Sequence, residues 1–190
     1  TGFRFAYGGA QEFYGVTPDL CALGKIIGGG YPLSAVAGKN QFMRYFDAED
    51  VGIDYAVKQI GTLSGNPIAA AAGLATLNVL KGPSIYKRLF QTGQEFMDGL
   101  TDLFAKHRIA AQVRGVPPMF DILFTKAEVI DYRSAAKSDS AKLKIFNEHV
   151  LKGGLLKGDN KFYVSTAHSK EDIAQAIEIC DKALAAVAAA

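Results

Sequence analysis

The chain has 190 residues, 49% of them apolar and 21% charged, and 21 Lys and Arg against 19 Asp and Glu leave a net charge of +2. That balance excludes a disordered segment, and with no basic run it excludes general nucleic-acid binding; the length suits one good core, or one domain plus part of another. No apolar run approaches the ~20 residues of a membrane span and no basic-then-apolar leader opens the chain, so the expected place is the cytoplasm, with no membrane partner.

Taken in order, residues 1–11 (TGFRFAYGGAQ) carry no helix or strand start signal. Asp19 to Leu23 (DLCAL) reads as a buried strand that runs through Gly24-Lys25 and two isoleucines into Gly28-Gly29-Gly30, a glycine turn. Leu33 to Gly38 (LSAVAG) is the next expected strand, and both are apolar on two faces, as in a sheet covered on both sides. Gln41 to Ile60 is mixed and in part irregular. Asn66 as N-cap and Pro67 at the first helical position predict a helix to Leu80, before Gly82-Pro83.

Apolar residues at Ile85, Leu89, Phe96, Leu100 and Leu103 predict an amphipathic helix across Pro83 to Arg108. Two strands, AAQVR and MFDILFT, flank Pro117-Pro118, and a helix from Ala141 to Leu151 ends at Gly153-Gly154. A strand over Lys161 to Ser165 precedes a last helix that opens on Ser169, with Asp172 completing a capping pair and Ile173, Ile177, Cys180 and Leu184 forming its apolar face. The final run ALAAVAAA carries no functional reading. Composition changes character near Gly82, which divides the chain into 1–82 and 83–190.

The motifs narrow the chemistry. Cys21 and Cys180 lie far apart without a CxxC and read as buried thiols in a reducing compartment. His107, His149 and His168 lack ligand spacing, so no metal is expected. GxSxG, GxGxxG and a Walker A lysine are all missing. Lys25 stands between LCAL and two isoleucines. Isolated lysines are usually solvated, but a buried ε-amine at a strand end is poised to attack an aldehyde. The turn GTLSGNP, residues 61–67, leads into a helix N-terminus that suits a phosphate; alternatively Thr62, Ser64 and Asn66 only cap that helix. One ligand carrying both an aldehyde and a phosphate is pyridoxal 5'-phosphate.

The stretches TGFRFAYGGAQEFYGVTPDLCALGKIIGGGYPLSAVAG and GTLSGNPIAAAAGLATL resemble the class III pyridoxal-phosphate aminotransferases, in the branch that includes glutamate-1-semialdehyde aminomutase. The resemblance implies an α/β fold of the aspartate aminotransferase-like type I. In it, residues 1–82 would be the C-terminal part of a large, mostly parallel-sheet domain, and residues 83–190 a smaller α+β domain. It makes Lys25 the lysine that forms the Schiff base with the cofactor and then moves protons at the substrate carbon. Gly61 and Thr62 match the segment that reaches the cofactor phosphate of a neighbouring subunit, which implies a homodimer with shared active sites. Arg4 matches the TGFR motif, with a structural role near the active-site loops.

Family members carry the Asp for the pyridine nitrogen, the ring-stacking aromatic and the phosphate turn upstream of the position matching Thr1. The expectation is therefore the C-terminal part of a longer subunit, roughly twice this length, not competent alone. Aminomutases carry a Glu before their C-terminal Ser-x-Ala-His, where this chain has Asn160. The preferred reading is amino transfer from an amine or amino acid to a carbonyl acceptor, with intramolecular transfer by an aminomutase as the alternative. A non-catalytic fragment or interaction domain, with Lys25 structural, is the remote one. Donor and acceptor are not legible.

Overall fold

The computed structural model describes residues 2–190; Thr1, the first residue of the TGFR motif, lies outside the described residues. The chain forms two compact units that divide between Tyr86 and Lys87.

The first unit opens on a helix that shows no periodic signal, α1 (Gly9–Tyr14). Six residues are too few for an apolar stripe, so its ends define it: the Gly8 N–H donates to the Glu12 carboxylate at 2.5 Å, and Gly15 turns left-handed at φ 65°. Strands β1 (Leu20–Leu23) and β2 (Ala35–Gly38) pair antiparallel, Leu20 opposite Gly38 and Leu23 opposite Ala35. This corrects the expectation of strands covered on both faces. Leu20 is 50% and Val36 51% exposed, because a two-stranded ribbon is flanked by no layer of its own residues. No parallel pairing occurs among the described residues of this unit.

The stretch expected to be irregular holds α2 (Asn40–Met43), a 3-10 turn at Arg44–Phe46 and α3 (Ala48–Val51). Asp47 caps α3 by accepting from the Glu49 N–H at 2.9 Å, and Arg44 grips Asp50 through two hydrogen bonds of 2.9 and 3.1 Å. Next, α4 (Pro67–Leu80) begins as its cap predicts, with Asn66 Oδ1 accepting from the N–H groups of Ile68 and Ala69 at 3.0 and 3.1 Å. Among the described hydrophobic residues of this unit only Ile27 and Ala69 are buried.

Helix α5 (Ile85–Lys106) runs through the second unit and buries Leu89, Phe96, Leu100 and Leu103 of the stripe its spacing predicts, together with Phe104, while Ile85 at its start is only half-buried. An antiparallel sheet follows in the order β3 (Gln112–Val116), β4 (Met119–Leu123) and β5 (Phe162–Tyr163), with α6 (Tyr132–Ala135) and α7 (Ser140–Lys152) between the last two strands. The final helix, α8 (Lys170–Ala189), starts in a Ser169 and Asp172 capping box and packs against α7. At the centre Phe120 and Phe162 stack at 5.2 Å, with Phe96 edge-on to both at 5.5 and 5.1 Å. Pairs of this kind add about 1 kcal/mol each beyond the area they bury. Cys180 is fully buried here, its thiol pushed up to about 12 by burial, whereas Cys21 on the ribbon is only half-buried, contrary to expectation.

Behind β4 lies an ion pair that sequence alone does not suggest. The Lys157 side chain is 1% exposed, its Nζ 3.3 Å from Asp121 Oδ1, and it donates to the carbonyls of Gly158 and Asp159 at 2.9 and 3.0 Å. Burial holds the Asp121 carboxyl above the usual carboxylate range and Lys157 below the usual lysine range, and each partner opposes the other's shift. Asp121→Asn should cost the second unit about 3 kcal/mol, because it leaves a buried ammonium without its counter-charge. The joint change Asp121→Leu with Lys157→Met should recover most of that loss. Hydrogen exchange of the α7 and α8 amides in the intact protein measures both.

A second clamp joins α5 to α8: Lys106 Nζ and His107 Nε2 each lie 2.6 Å from a carboxylate oxygen of Asp181. Hydrogen bonds from Lys106 and then His107 lower the Asp181 carboxyl. A depressed carboxyl stabilises the fold above its unfolded value, about pH 4, and loses that contribution as pH falls through its folded value. Thermal unfolding followed from pH 7 to pH 2 should therefore decline less steeply in Asp181→Asn than in the parent. No single helix among the described residues is long and apolar enough to cross a membrane.

Candidate active site

The glycine turn begins with Gly24 in a fully extended conformation, φ −170°, and then Lys25 in the left-handed region at φ 54°. That region costs a non-glycine residue about 1–2 kcal/mol and is occupied where surrounding structure enforces it, often at functional sites. Among the described residues only Arg108 shares it without being glycine. The 3-10 turn Lys25–Gly28 is closed by the Gly29 N–H to the Ile26 carbonyl at 3.2 Å and the Tyr31 N–H to the Gly28 carbonyl at 3.0 Å.

Lys25 is exposed, which corrects the expectation of a buried amine. The turn buries one side chain, Ile27, with Gly28 beside it, and leaves Lys25 and Ile26 exposed. Apolar neighbours in sequence therefore did not mean an apolar environment. Within these 190 residues, what singles out Lys25 is its backbone conformation.

A cleft of about 910 Å³ lies between the ribbon and the segment 59–65. Leu23 and Ser34 form part of one wall, Gln59, Gly61 and Ser64 part of another, and the lining includes no Asp, Glu, Lys, Arg or His. Gly61 is thus in the wall itself, while Lys25 and Thr62 are not among the lining residues; Lys25 follows Leu23 by two positions and Thr62 follows Gly61 directly. Gln59 and Ser34 are polar cleft residues that the sequence did not single out. Ser34 was hidden inside an apolar strand pattern, and Gln59 precedes the GTLSGNP motif.

Within that motif the two readings separate by residue. Asn66 caps α4 through the amides of Ile68 and Ala69, so those N–H groups are already engaged and do not make a free anion site. Ser64 accepts from Gln59 Nε2 at 3.1 Å and its N–H closes a turn onto the Gly61 carbonyl at 3.0 Å. Gly61 and Thr62 cap nothing. Their backbone N–H groups make no hydrogen bond to another described backbone carbonyl. Arg4 is half-buried in the opening turns of the first unit, and Asn160 is exposed in the second unit, at the tip of a bridge between Gly158 and Lys161.

Similarity to known proteins extends over nearly all of the chain. The family described as Aminotransferase class-III matches residues 1–184. A glutamate-1-semialdehyde 2,1-aminomutase from Pelotomaculum thermopropionicum is 45% identical over 183 residues, 94% of this chain and 41% of its own length. One of the same name from Persephonella marina is 44% identical over 190 residues, 97% of this chain and 43% of its own length. The crystal structure of an omega-transaminase from Sphaerobacter thermophilus superposes with a TM-score of 0.90 at 30% identity, covering 98% of this chain and 42% of that one. The chain thus spans about two fifths of the length of these relatives, and its mixed α/β fold is that of the fold type I transaminases. On the family match and the superposition together, the chain belongs to the class III aminotransferases, a family of pyridoxal 5'-phosphate-dependent enzymes.

Proposed function

We propose that the protein transfers amino groups with pyridoxal 5'-phosphate held on Lys25, and the observation that carries this reading is the strained, exposed Lys25 two residues after Leu23, which lines the 910 Å³ cleft. The donor set fits the cofactor. An exposed primary amine suits its aldehyde, and the Gly61 and Thr62 amides, with the Thr62 hydroxyl, suit its phosphate. The cleft lining supplies no carboxylate for the pyridine nitrogen.

When bound, the cofactor supplies the electron sink for bond breaking at the substrate carbon. Lys25 Nζ, as a neutral amine, would take the proton from the amine-bearing carbon of the substrate and, as an ammonium, would deliver it to the carbon that carried the cofactor's aldehyde, a role worth about 10²–10⁴-fold in rate. Gly61 and Thr62 would hold the phosphate through their backbone N–H groups and the Thr62 hydroxyl, and so would fix the reacting atoms. In the arrangement proposed, they serve the site of a second copy in a homodimer. Residues 1–82 act as part of the large cofactor-binding domain and residues 83–190 as the smaller domain. Small amines or amino acids and carbonyl compounds are the proposed substrates, and the cytoplasm is the proposed location.

Transfer between two molecules is the first reading, supported by the neutral amide of Asn160 where aminomutases carry a carboxylate. Intramolecular transfer is the second, supported by the names of the relatives at 44–45% identity. Incubating the intact protein with glutamate-1-semialdehyde and no other amino donor or acceptor separates them. The first reading predicts no steady turnover until a carbonyl acceptor is added; steady conversion of the single substrate overturns it in favour of the second.

A further inference from the structure

The Lys25 turn is seated on α4 through two bare Cα positions, one on each partner. On the helix, a side chain on Gly73 would place its Cβ 2.6 Å from the Ile27 carbonyl oxygen and 2.8 Å from Leu33 Cδ2. On the turn, a Cβ on Gly29 would fall 2.8 Å from the Ala72 carbonyl oxygen and closer still to the Thr76 hydroxyl, which is itself tied to that carbonyl at 3.0 Å. Gly29 is also left-handed at φ 58°, where glycine alone is unstrained. Between these contacts Ile27 is 8% exposed and Ala69 fully buried. The first obstacle at Gly73 is a backbone carbonyl two residues from Lys25, not the end of a side chain that can swing aside.

We propose that Gly73 is a positioning residue for the Lys25 amine: by letting the Ile27 carbonyl approach α4, it enforces the turn that holds Lys25 in its left-handed conformation. This rests on Lys25 being the cofactor-holding amine. The turn has no other large buried side chain to fix it, so the backbone approach sets where the amine stands. Adding one methyl at Gly73 must move the Ile27 carbonyl, the Lys25 backbone, or both.

The test uses the intact, cofactor-loaded protein and reads the pH at which the visible absorbance of the bound cofactor is half-changed, which a loss of stability alone does not move. Gly73→Ala should shift that midpoint by about half a pH unit or more, and should slow single-turnover amino transfer about tenfold or more through misplacement of the amine. Ile27→Val trims one methyl from the same seat and should shift the midpoint less. An unmoved midpoint in Gly73→Ala or, where that variant does not fold, in Ile27→Val overturns the proposal. Lys25→Ala tests the reading beneath it. A titration that survives in Lys25→Ala removes Lys25 as the cofactor's amine, whereas one lost there but unmoved in the other variants overturns only the role of Gly73.

Discussion

Lys25→Gly is expected to lower amino transfer by about 10⁴-fold while making the protein more stable, and this pairing of opposite effects is specific to the site described. Removing the amine removes both the attachment point and the proton carrier. The same substitution relieves a left-handed residue at φ 54°. Relief of about 1–2 kcal/mol is offset in part by the extra freedom of glycine in the unfolded chain, leaving a net gain of about 1 kcal/mol. Lys25→Ala should be equally inactive but not stabilised, because alanine keeps the strain. Turnover together with urea unfolding of the cofactor-free protein measures both quantities. Equal stability in the Gly and Ala variants would contradict the strain assigned to the turn, and retained turnover would contradict the role of the amine.

The second large effect lies far from the cleft. A Cβ on Gly93, in the buried face of α5, would fall on the Pro117 carbonyl and come within 2.9 Å of Pro117 Cα. Pro117 and Pro118 form the stiff turn between β3 and β4, so neither side yields readily. Gly93→Ala should therefore cost the second unit about 4 kcal/mol, at the upper end for an added methyl, against a few tenths for Gln94→Ala on the exposed side of the same turn of helix. Hydrogen exchange in β3, β4 and α5 is the readout. Protection equal to the parent would mean that the helix and the Pro117 turn are not packed as described.

The elements that were legible from sequence are those whose signal is local. Asn66-Pro67 marks the start of α4, the spacing from Leu89 to Leu103 marks the buried stripe of α5, and Ser169 with Asp172 marks the start of α8. The Gly93 contact spans 24 positions and carries no local signature at either end; the Lys157 and Asp121 pair spans 36. The expectation of a ribbon covered on both faces is not met within these 190 residues, because apolar residues on both faces report what a strand tolerates, not which layers this stretch of chain supplies. The same confusion placed Lys25 in the interior. Its apolar neighbours reflect one buried contact, Ile27, in a turn that leaves Lys25 exposed among these 190 residues. At the candidate site, the family resemblance put forward Lys25, Gly61 and Thr62, of which Gly61 lines the cleft, but the cleft-lining positions of Ser34 and Gln59 arise from chain crossings that no spacing rule encodes.

The central claim is that the Lys25 amine carries the cofactor. Loading the intact protein with pyridoxal 5'-phosphate, fixing the linkage with borohydride and mapping the added mass by peptide sequencing tests it most directly. The account predicts the added mass on the peptide containing Leu23 to Ile27, at Lys25, with none recovered in Lys25→Ala. Cofactor fixed on another lysine, or fixed equally well in that variant, would contradict it.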